Sequence, residues 1–355
     1  MRNLTPVSPD LAFFSGRAAG RNEPTLSVRN LTTVFATGAG VFTAVDDVSF
    51  DVWPGECLGI VGESGSGKSV AALSIMGLVD YPGRVAVGEI RFRGEDLRRL
   101  RPEALRAVRG SRLAVIFQDP QTAFNPLFTV GRQMVDVVRA HRRCTAAEAG
   151  QLAAEKLRLV GVSAPEQRLR AYPWELSGGL RQRVAIAMAL LLDPDLVIAD
   201  EPTTALDVSI QAQIVELLVD LKQRLGFSLI FISHDLGVVS AVADRVLVMY
   251  AGRAVERGPV GETFARPLHP YTAALVASAP TLESIRGRPL PTIQGTLPGP
   301  GDLSSGCVFA PRCPRARGIC WAEQPPLAPI LPGREAACHF PLLDVTPPTR
   351  GTTGD

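Results

Sequence analysis

The run Gly62-Glu63-Ser64-Gly65-Ser66-Gly67-Lys68-Ser69 constrains this chain more than any other feature. It follows an apolar stretch, Cys57 to Val61, that reads as a buried strand, and it precedes Val70 to Leu78, which reads as a helix. This is the well-known phosphate loop, a standard motif whose mechanics are general and not peculiar to this sequence. Its glycines let the backbone curl until successive N–H groups face phosphate oxygens. A helix opening near Gly67 adds the positive end of its dipole. Lys68 then reaches the β- and γ-phosphates of a nucleotide, and Ser69 offers its hydroxyl to Mg²⁺. A Gly/Ser turn ending by chance in Lys-Ser is the plain alternative, and the flanking strand and helix argue against it.

A loop of this kind sits at the carboxyl edge of a parallel sheet, and the sequence supplies one. Leu113 to Phe117, Leu196 to Ala199, Ser228 to Ile232 and Arg245 to Met249 are short apolar runs bounded by polar or turn residues. Strands buried on both faces read this way, so the expected class is α/β, a mainly parallel sheet covered by helices. With 355 residues, 46% of them apolar, the chain can bury one large core and carry an appendage. A β-rich part is expected from Leu26 onward, and a helical insertion over about 120–192, where Ala, Arg, Glu and Val recur at helical spacing. Residues 1–23 read as a loose leader, 24–280 as the nucleotide-binding domain, 281–345 as a Cys-rich extension behind a Pro-rich connector, and 346–355 as a tail.

Leu196-Val197-Ile198-Ala199-Asp200-Glu201 ends a strand in two carboxylates, which places both beside the phosphate loop. Side chains diverge at a strand end, so Asp200 is expected to face the Mg²⁺ shell and Glu201 the attacking water. An Asp-Glu pair after a strand is commonly just solvated; the phosphate loop gives this one its meaning.

Leu176-Ser177-Gly178-Gly179, followed by Arg181-Gln182-Arg183, resembles the signature of the ATP-binding-cassette family, and the resemblance covers roughly residues 26–258. Where that signature usually has Gln next, this chain has Leu180, so no polar contact is expected there. The resemblance implies that Ser177, Gly178 and Gly179 close on ATP held by a partner subunit. It further implies that Gln118 touches Mg²⁺ and senses a membrane domain, and that His234 contacts the γ-phosphate. Ala205-Leu206-Asp207 resembles the loop that crosses the dimer interface. Phe35, 33 residues before Lys68, resembles the aromatic that stacks on adenine, with Phe42 as its rival. Gly62, Glu63, Ser64, Gly65, Ser66, Gly67, Lys68 and Ser69 are then the ATP-binding loop; Glu201, His234 and Gln118 the catalytic set; and Ser69, Gln118 and Asp200 the Mg²⁺ ligands. On its own, a histidine at a strand end such as His234 is more often structural.

Arg109-Gly110, Phe124-Asn125-Pro126 and His269-Pro270-Tyr271-Thr272 narrow the resemblance to the oligopeptide and dipeptide importer ATPases, and Ile75-Met76-Gly77-Leu78 to their D-type member. Sibling importers of nickel, sugars or antimicrobial peptides share much of this. The implied partners are a second cassette ATPase (an F-type chain), two membrane permease subunits and, indirectly, an extracytoplasmic solute-binding protein.

Four of the six cysteines, Cys307, Cys313, Cys320 and Cys338, crowd into the last fifty residues, separated by five, six and seventeen residues. Zinc ligands usually come as close CxxC couples, absent here. The resemblance implies a four-iron–four-sulfur cluster on these thiols; zinc, free thiols and oxidative crosslinks are the alternatives. Its expected role is a structural staple for a small extension.

With 37 basic and 35 acidic side chains, the net charge of +2 argues against binding nucleic acid by bulk electrostatics, as a cassette protein of DNA repair would. No segment approaches the roughly 18 to 20 apolar residues of a spanning helix, and the start does not read as a secretory signal. The expected location is the cytoplasmic face of a bacterial-type membrane, docked on partners that span it.

Overall fold

The computed structural model describes residues 23–38, 40–119, 123–204, 206–279, 292–299 and 305–343. The expected leader up to residue 22, most of the Pro-rich connector, the tail and Ala205 lie outside the described residues.

The chain opens with two long strands, β1 (Leu26–Thr37) and β2 (Gly40–Val52), then β3 (Cys57–Val61) and α1 (Lys68–Met76). β4 (Gly83–Phe92), β5 (Glu95–Asp96), α2 (Pro102–Val108) and β6 (Leu113–Ile116) follow. Four helices come next: α3 (Val130–His141), α4 (Ala146–Leu159), α5 (Pro165–Arg170) and α6 (Gly178–Ala189). Strands and helices then alternate through β7 (Leu196–Asp200), α7 (Val208–Leu225), β8 (Ser228–Ile232), α8 (Leu236–Val242) and β9 (Arg245–Tyr250). β10 (Arg253–Pro259), α9 (Val260–Ala265), α10 (Pro270–Ser278), α11 (Gly318–Ala322), β11 (Ala328–Leu331) and β12 (Arg334–Ala336) complete the described order.

Two sheets result. The smaller is antiparallel, in the order β2-β1-β4-β5, and is the β-rich part expected from Leu26 onward. The larger has the order β11-β12-β10-β9-β3-β8-β7-β6, and its stretch from β9 through β3, β8 and β7 to β6 is parallel. The apolar runs seen in the sequence supply these five parallel strands, and all five residues of β3, of β7 and of β8 are buried. Each buried Ile, Leu or Val contributes about 1.5–3 kcal/mol relative to exposure, so these strands anchor everything above them.

The helical stretch is held by local chemistry. Thr145 and Glu148 form a reciprocal capping box at the start of α4, with the Thr145 N–H donating to Glu148 Oε2 at 2.7 Å. Met134 and Val138 of α3 and Ala153 and Leu157 of α4 are buried in the same core as β7.

The extension departs from the expected appendage. Its hairpin, β11 and β12, continues the large sheet through the pairings Glu256↔Ala336 and Arg257↔Glu335. Cys307, Val308, Phe309, Ala310 and Cys320 belong to the main hydrophobic core. A segment too small to bury its own apolar side chains borrows the core of its neighbour.

Candidate functional site

The phosphate loop joins β3 to α1, and its glycines are required by shape. Gly62 has φ 152, and a Cβ there would stand 2.2 Å from the carbonyl oxygen of Met249. Gly67 has φ 97 and caps α1, and its Cβ would stand 2.4 Å from the carbonyl oxygen of Ala44. Both the left-handed backbone at Gly67 and the close approach exclude a side chain.

Lys68 is the first residue of α1, and its side chain turns back over the loop. Its Nζ donates to the carbonyls of Gly62 at 2.8 Å and Glu63 at 2.9 Å, with Ser66 Oγ at 3.4 Å. Burial pulls its pKa below the ordinary lysine value, while Glu201, Asp200 and Glu63 push it back up. An ammonium held this way meets phosphate oxygens as stronger acceptors than the carbonyls it already has.

The acid pair diverges as expected. Asp200 ends β7 and accepts the Ser69 hydroxyl at 3.0 Å. Burial raises its pKa, the Ser69 hydrogen bond lowers it, and Glu201 raises it further. Glu201 leaves the strand at φ 45, with its N–H bonded to the Ile232 carbonyl at 2.9 Å. Its Oε2 accepts from Gln118 Nε2 at 3.1 Å and Thr204 Oγ1 at 2.8 Å, with His234 Nδ1 at 3.3 Å. Three residues from three loops thus converge on one carboxylate oxygen. Ser64, Gly65, Lys68, Ser69, Gln118, Glu201, Thr204 and His234 line one cleft. Thr204 is absent from the sequence reading; its position three residues after Glu201, in the turn that follows β7, is the only signal it carries.

A second cleft is lined by Ser177, Gly178, Gly179, Asp207, Arg183 and Gln213, and it shares no lining residue with the first. Ser177 caps α6, its Oγ accepting the Leu180 N–H at 3.4 Å. Asp207 opens α7 without a side-chain cap bond. Ser177, Gly178, Gly179 and Asp207 thus share one cleft, and none of them lines the cleft of the phosphate loop.

Phe35 and Phe42 are cross-strand partners in the antiparallel sheet, and neither lines the first cleft. The ring of Phe35 lies over Gly83, where a Cβ would stand 2.5 Å from its Cε1.

The four clustered cysteines do converge. Cys307, Cys313, Cys320 and Cys338 line one small cavity with His269, His339 and Phe309. All six cysteines are free thiols. Among the described residues no group of three or more His, Cys, Asp or Glu is arranged to hold a metal ion. Burial pushes the Cys338 thiol up to about 11 and raises Cys307 and Cys313. His339 Nε2 lies 2.9 Å from the Glu323 carbonyl, which gives that ring a partner of its own.

Residues 45–204 match the model of the ABC transporter family, and residues 255–320 match that of the oligopeptide/dipeptide transporter C-terminal region. The chain is 52% identical to a probable peptide ABC transporter ATP-binding protein of Sinorhizobium fredii, covering 88% of this chain and 94% of that one. It is 47% identical to the dipeptide transport ATP-binding protein DppD of Escherichia coli, over 91% of this chain and 99% of the relative. The chain belongs to the ABC transporter ATPase family. Its cassette superposes on the dimeric post-hydrolysis structure of the ATP-binding cassette MJ0796 bound to ADP and Pi. That match has a TM-score of 0.60 at 27% identity and covers 66% of this chain and 98% of the other. This ABC ATPase contains, among its described residues, no helix long and apolar enough to cross a membrane.

Proposed function

We propose that this cassette drives a bacterial importer of dipeptides or oligopeptides, hydrolysing ATP in a site completed by a second ATPase subunit. The observation that carries the reading is the presence of two distinct clefts. The phosphate loop with Glu201 lines one and Ser177-Gly178-Gly179 with Asp207 lines the other, with no residue in common, which supports a nucleotide held between two chains.

In this reading the N–H groups of Gly65, Gly67 and Lys68 cradle the phosphates, Lys68 releases its loop carbonyls to bind them, and Phe35 meets the adenine. Ser69, Gln118 and Asp200 hold Mg²⁺, and the bonded pair Ser69–Asp200 supports that assignment. When bound, Mg²⁺ neutralises charge on the β- and γ-oxygens. Glu201 orients and polarises the attacking water, and His234 and Gln118 hold its Oε2. The partner's signature supplies further donors to the γ-phosphate. Binding therefore favours the closed dimer and hydrolysis releases it, a population shift driven by the nucleotide. The helices α3 to α6 pass that motion to two permease subunits at the cytoplasmic face of the membrane. The domain borders expected from sequence, 24–280 for the cassette and 281–345 for the extension, belong to the same reading.

The four cysteines are proposed to hold a four-iron–four-sulfur cluster. Four thiols lining one cavity, Cys307 and Cys320 buried and Cys313 and Cys338 half-buried, with none of the close CxxC couples of zinc sites, support it. Cys307, Cys313 and Cys338, whose pKa burial raises, need a cationic centre to ionise together, which iron would supply.

Purification of the tagged chain from its native membrane tests the assembly. A second cassette ATPase and two permeases should accompany it, and loss of the gene should abolish uptake of a labelled dipeptide. Loss of nickel uptake with intact dipeptide uptake would overturn the cargo. Anaerobically purified protein should be brown and hold iron and sulfide; colourless protein with stoichiometric zinc would overturn the cluster.

A further inference from the structure

Glu63 lies inside the phosphate loop, yet its carboxylate faces away from the cleft. It makes a forked ion pair with Arg312, Nη1 to Oε2 at 2.7 Å and Nη2 to Oε1 at 3.0 Å, across 249 residues of sequence. Arg312 ends the single turn Ala310–Arg312, next to Cys313, and its side chain is only 5% exposed. All five guanidinium N–H donors are engaged. Besides the carboxylate, Nε donates to the Gln294 carbonyl at 2.8 Å, Nη2 to the Ile293 carbonyl at 3.1 Å and Nη1 to the Tyr250 hydroxyl at 3.3 Å. The guanidinium also lies 5.7 Å from the centre of the Tyr250 ring.

The backbone of Glu63 is equally committed. Its N–H donates to the Tyr271 hydroxyl at 2.8 Å, and its carbonyl accepts from Lys68 Nζ at 2.9 Å and from the Ser66 N–H at 3.1 Å. Tyr271 is fully buried, packed on Tyr250 and Phe309 with ring centres 4.6 and 5.4 Å away. Every polar group of this loop residue is therefore fixed from below, by α10 and the extension, or by the loop itself.

A phosphate loop gathers several N–H dipoles that repel one another until an anion arrives, and its glycines leave it free to relax. A loop that relaxes must be reordered by its ligand, and that cost is subtracted from affinity. We propose that Arg312 and Tyr271 are positioning residues of the ATP site, which hold Glu63 so that Lys68 and the following N–H groups are set before the nucleotide binds. The extension then supports the nucleotide site directly. A forked, fully bonded arginine suits this task, because lysine offers a point charge with no fixed plane.

The proposal rests on the phosphate loop holding ATP. That reading fails if the wild-type chain binds none; the proposal fails if the wild type binds ATP and the variants bind it equally. The experiment is equilibrium binding of a fluorescent MgATP analogue to the full-length chain, with thermal melting of each variant. Arg312→Gln should raise Kd about tenfold and Tyr271→Phe about threefold. Arg317→Gln, on the same extension and stacked on Phe340, should leave Kd unchanged. Glu63→Gln combined with Arg312→Gln should bind no worse than Arg312→Gln alone, since both changes break one contact. In the assembled transporter the KM for ATP should rise more than kcat falls. A lower melting temperature with unchanged Kd for Arg312→Gln would overturn the proposal, as would simple additivity of the pair. If Arg312→Gln does not fold, Tyr271→Phe decides, because it removes one hydroxyl and keeps the ring; wild-type affinity there overturns the proposal.

Discussion

Glu201 sits in a backbone conformation, φ 45, that side chains rarely adopt, and three partners converge on its Oε2. Strain of this kind persists where the surroundings over-determine it, and here the Ile232 carbonyl and the three side-chain contacts do so. Glu201→Gln keeps the shape and removes the charge. It should lower ATP turnover about 100-fold or more while nucleotide binding persists, as stopped-flow binding beside steady-state phosphate release would show. A different residue-scale effect belongs to Cys57, at the start of β3. Burial is the main cause that pushes its thiol up to about 12 from 9.0, with Lys222 opposing and Asp244 and Glu56 adding. Between those values the unfolded chain has lost the proton and the native chain keeps it, so stability falls as pH rises through that window. One unit above the unfolded value the loss is about 1.4 kcal/mol. Denaturant midpoints should fall from neutral to alkaline pH more steeply for the wild type than for Cys57→Ala. Asp200 and Glu201 were legible in sequence because a strand end fixes where two carboxylates go. Thr204 was not, since two threonines after Glu201-Pro202 read as ordinary turn chemistry. Arg312 was not legible either, because its partner is set only when the extension packs against the loop.

At the scale of elements, the parallel strands were legible as apolar runs, and the phosphate loop as glycines between a strand and a helix. The hairpin β11–β12 was hidden. Its strands are only four and three residues long, Pro329 interrupts the first, Ala328–Leu331, and the second, Arg334–Ala336, carries two charged residues; it pairs along the edge that β10 offers. The loop is the element most exposed to a single change. Gly67→Ala would drive a methyl into the Ala44 carbonyl, 2.4 Å away, at φ 97. It should cost about 2 kcal/mol or more and abolish ATP binding, measured by denaturation and by isothermal titration. The signature helix α6 responds differently. At Gly179 a Cβ would already stand 3.0 Å from Ile210 Cγ2; in the proposed pairing a carboxylate there would face the γ-phosphate of ATP held by the second subunit. Gly179→Asp should leave the chain's own ATP affinity intact and remove turnover in the assembled transporter.

Over the whole molecule, the large sheet runs from the extension hairpin at one edge, through the ATP strands, to β6 at the other. The extension is joined to the ATP site by a shared core and by Arg312, so loosening it should be felt at the loop. With the proposed iron–sulfur cluster in the cysteine cavity, chelating its iron should expose the segment 305–343 to protease before the cassette itself is cut, as timed digestion followed by mass spectrometry would report. The family resemblance implies a composite active site, and the proposal of one rests on two clefts that share no lining residue. The most direct measurement is ATP turnover at a fixed amount of this chain, with the partner ATPase titrated in. Phosphate release should be negligible from the isolated monomer, rise to saturation as the pair forms, and be lost when Ser177 and Gly178 and their counterparts are replaced on both subunits. Full-rate turnover by a strictly monomeric chain, or by a pair lacking both signatures, would contradict a composite site.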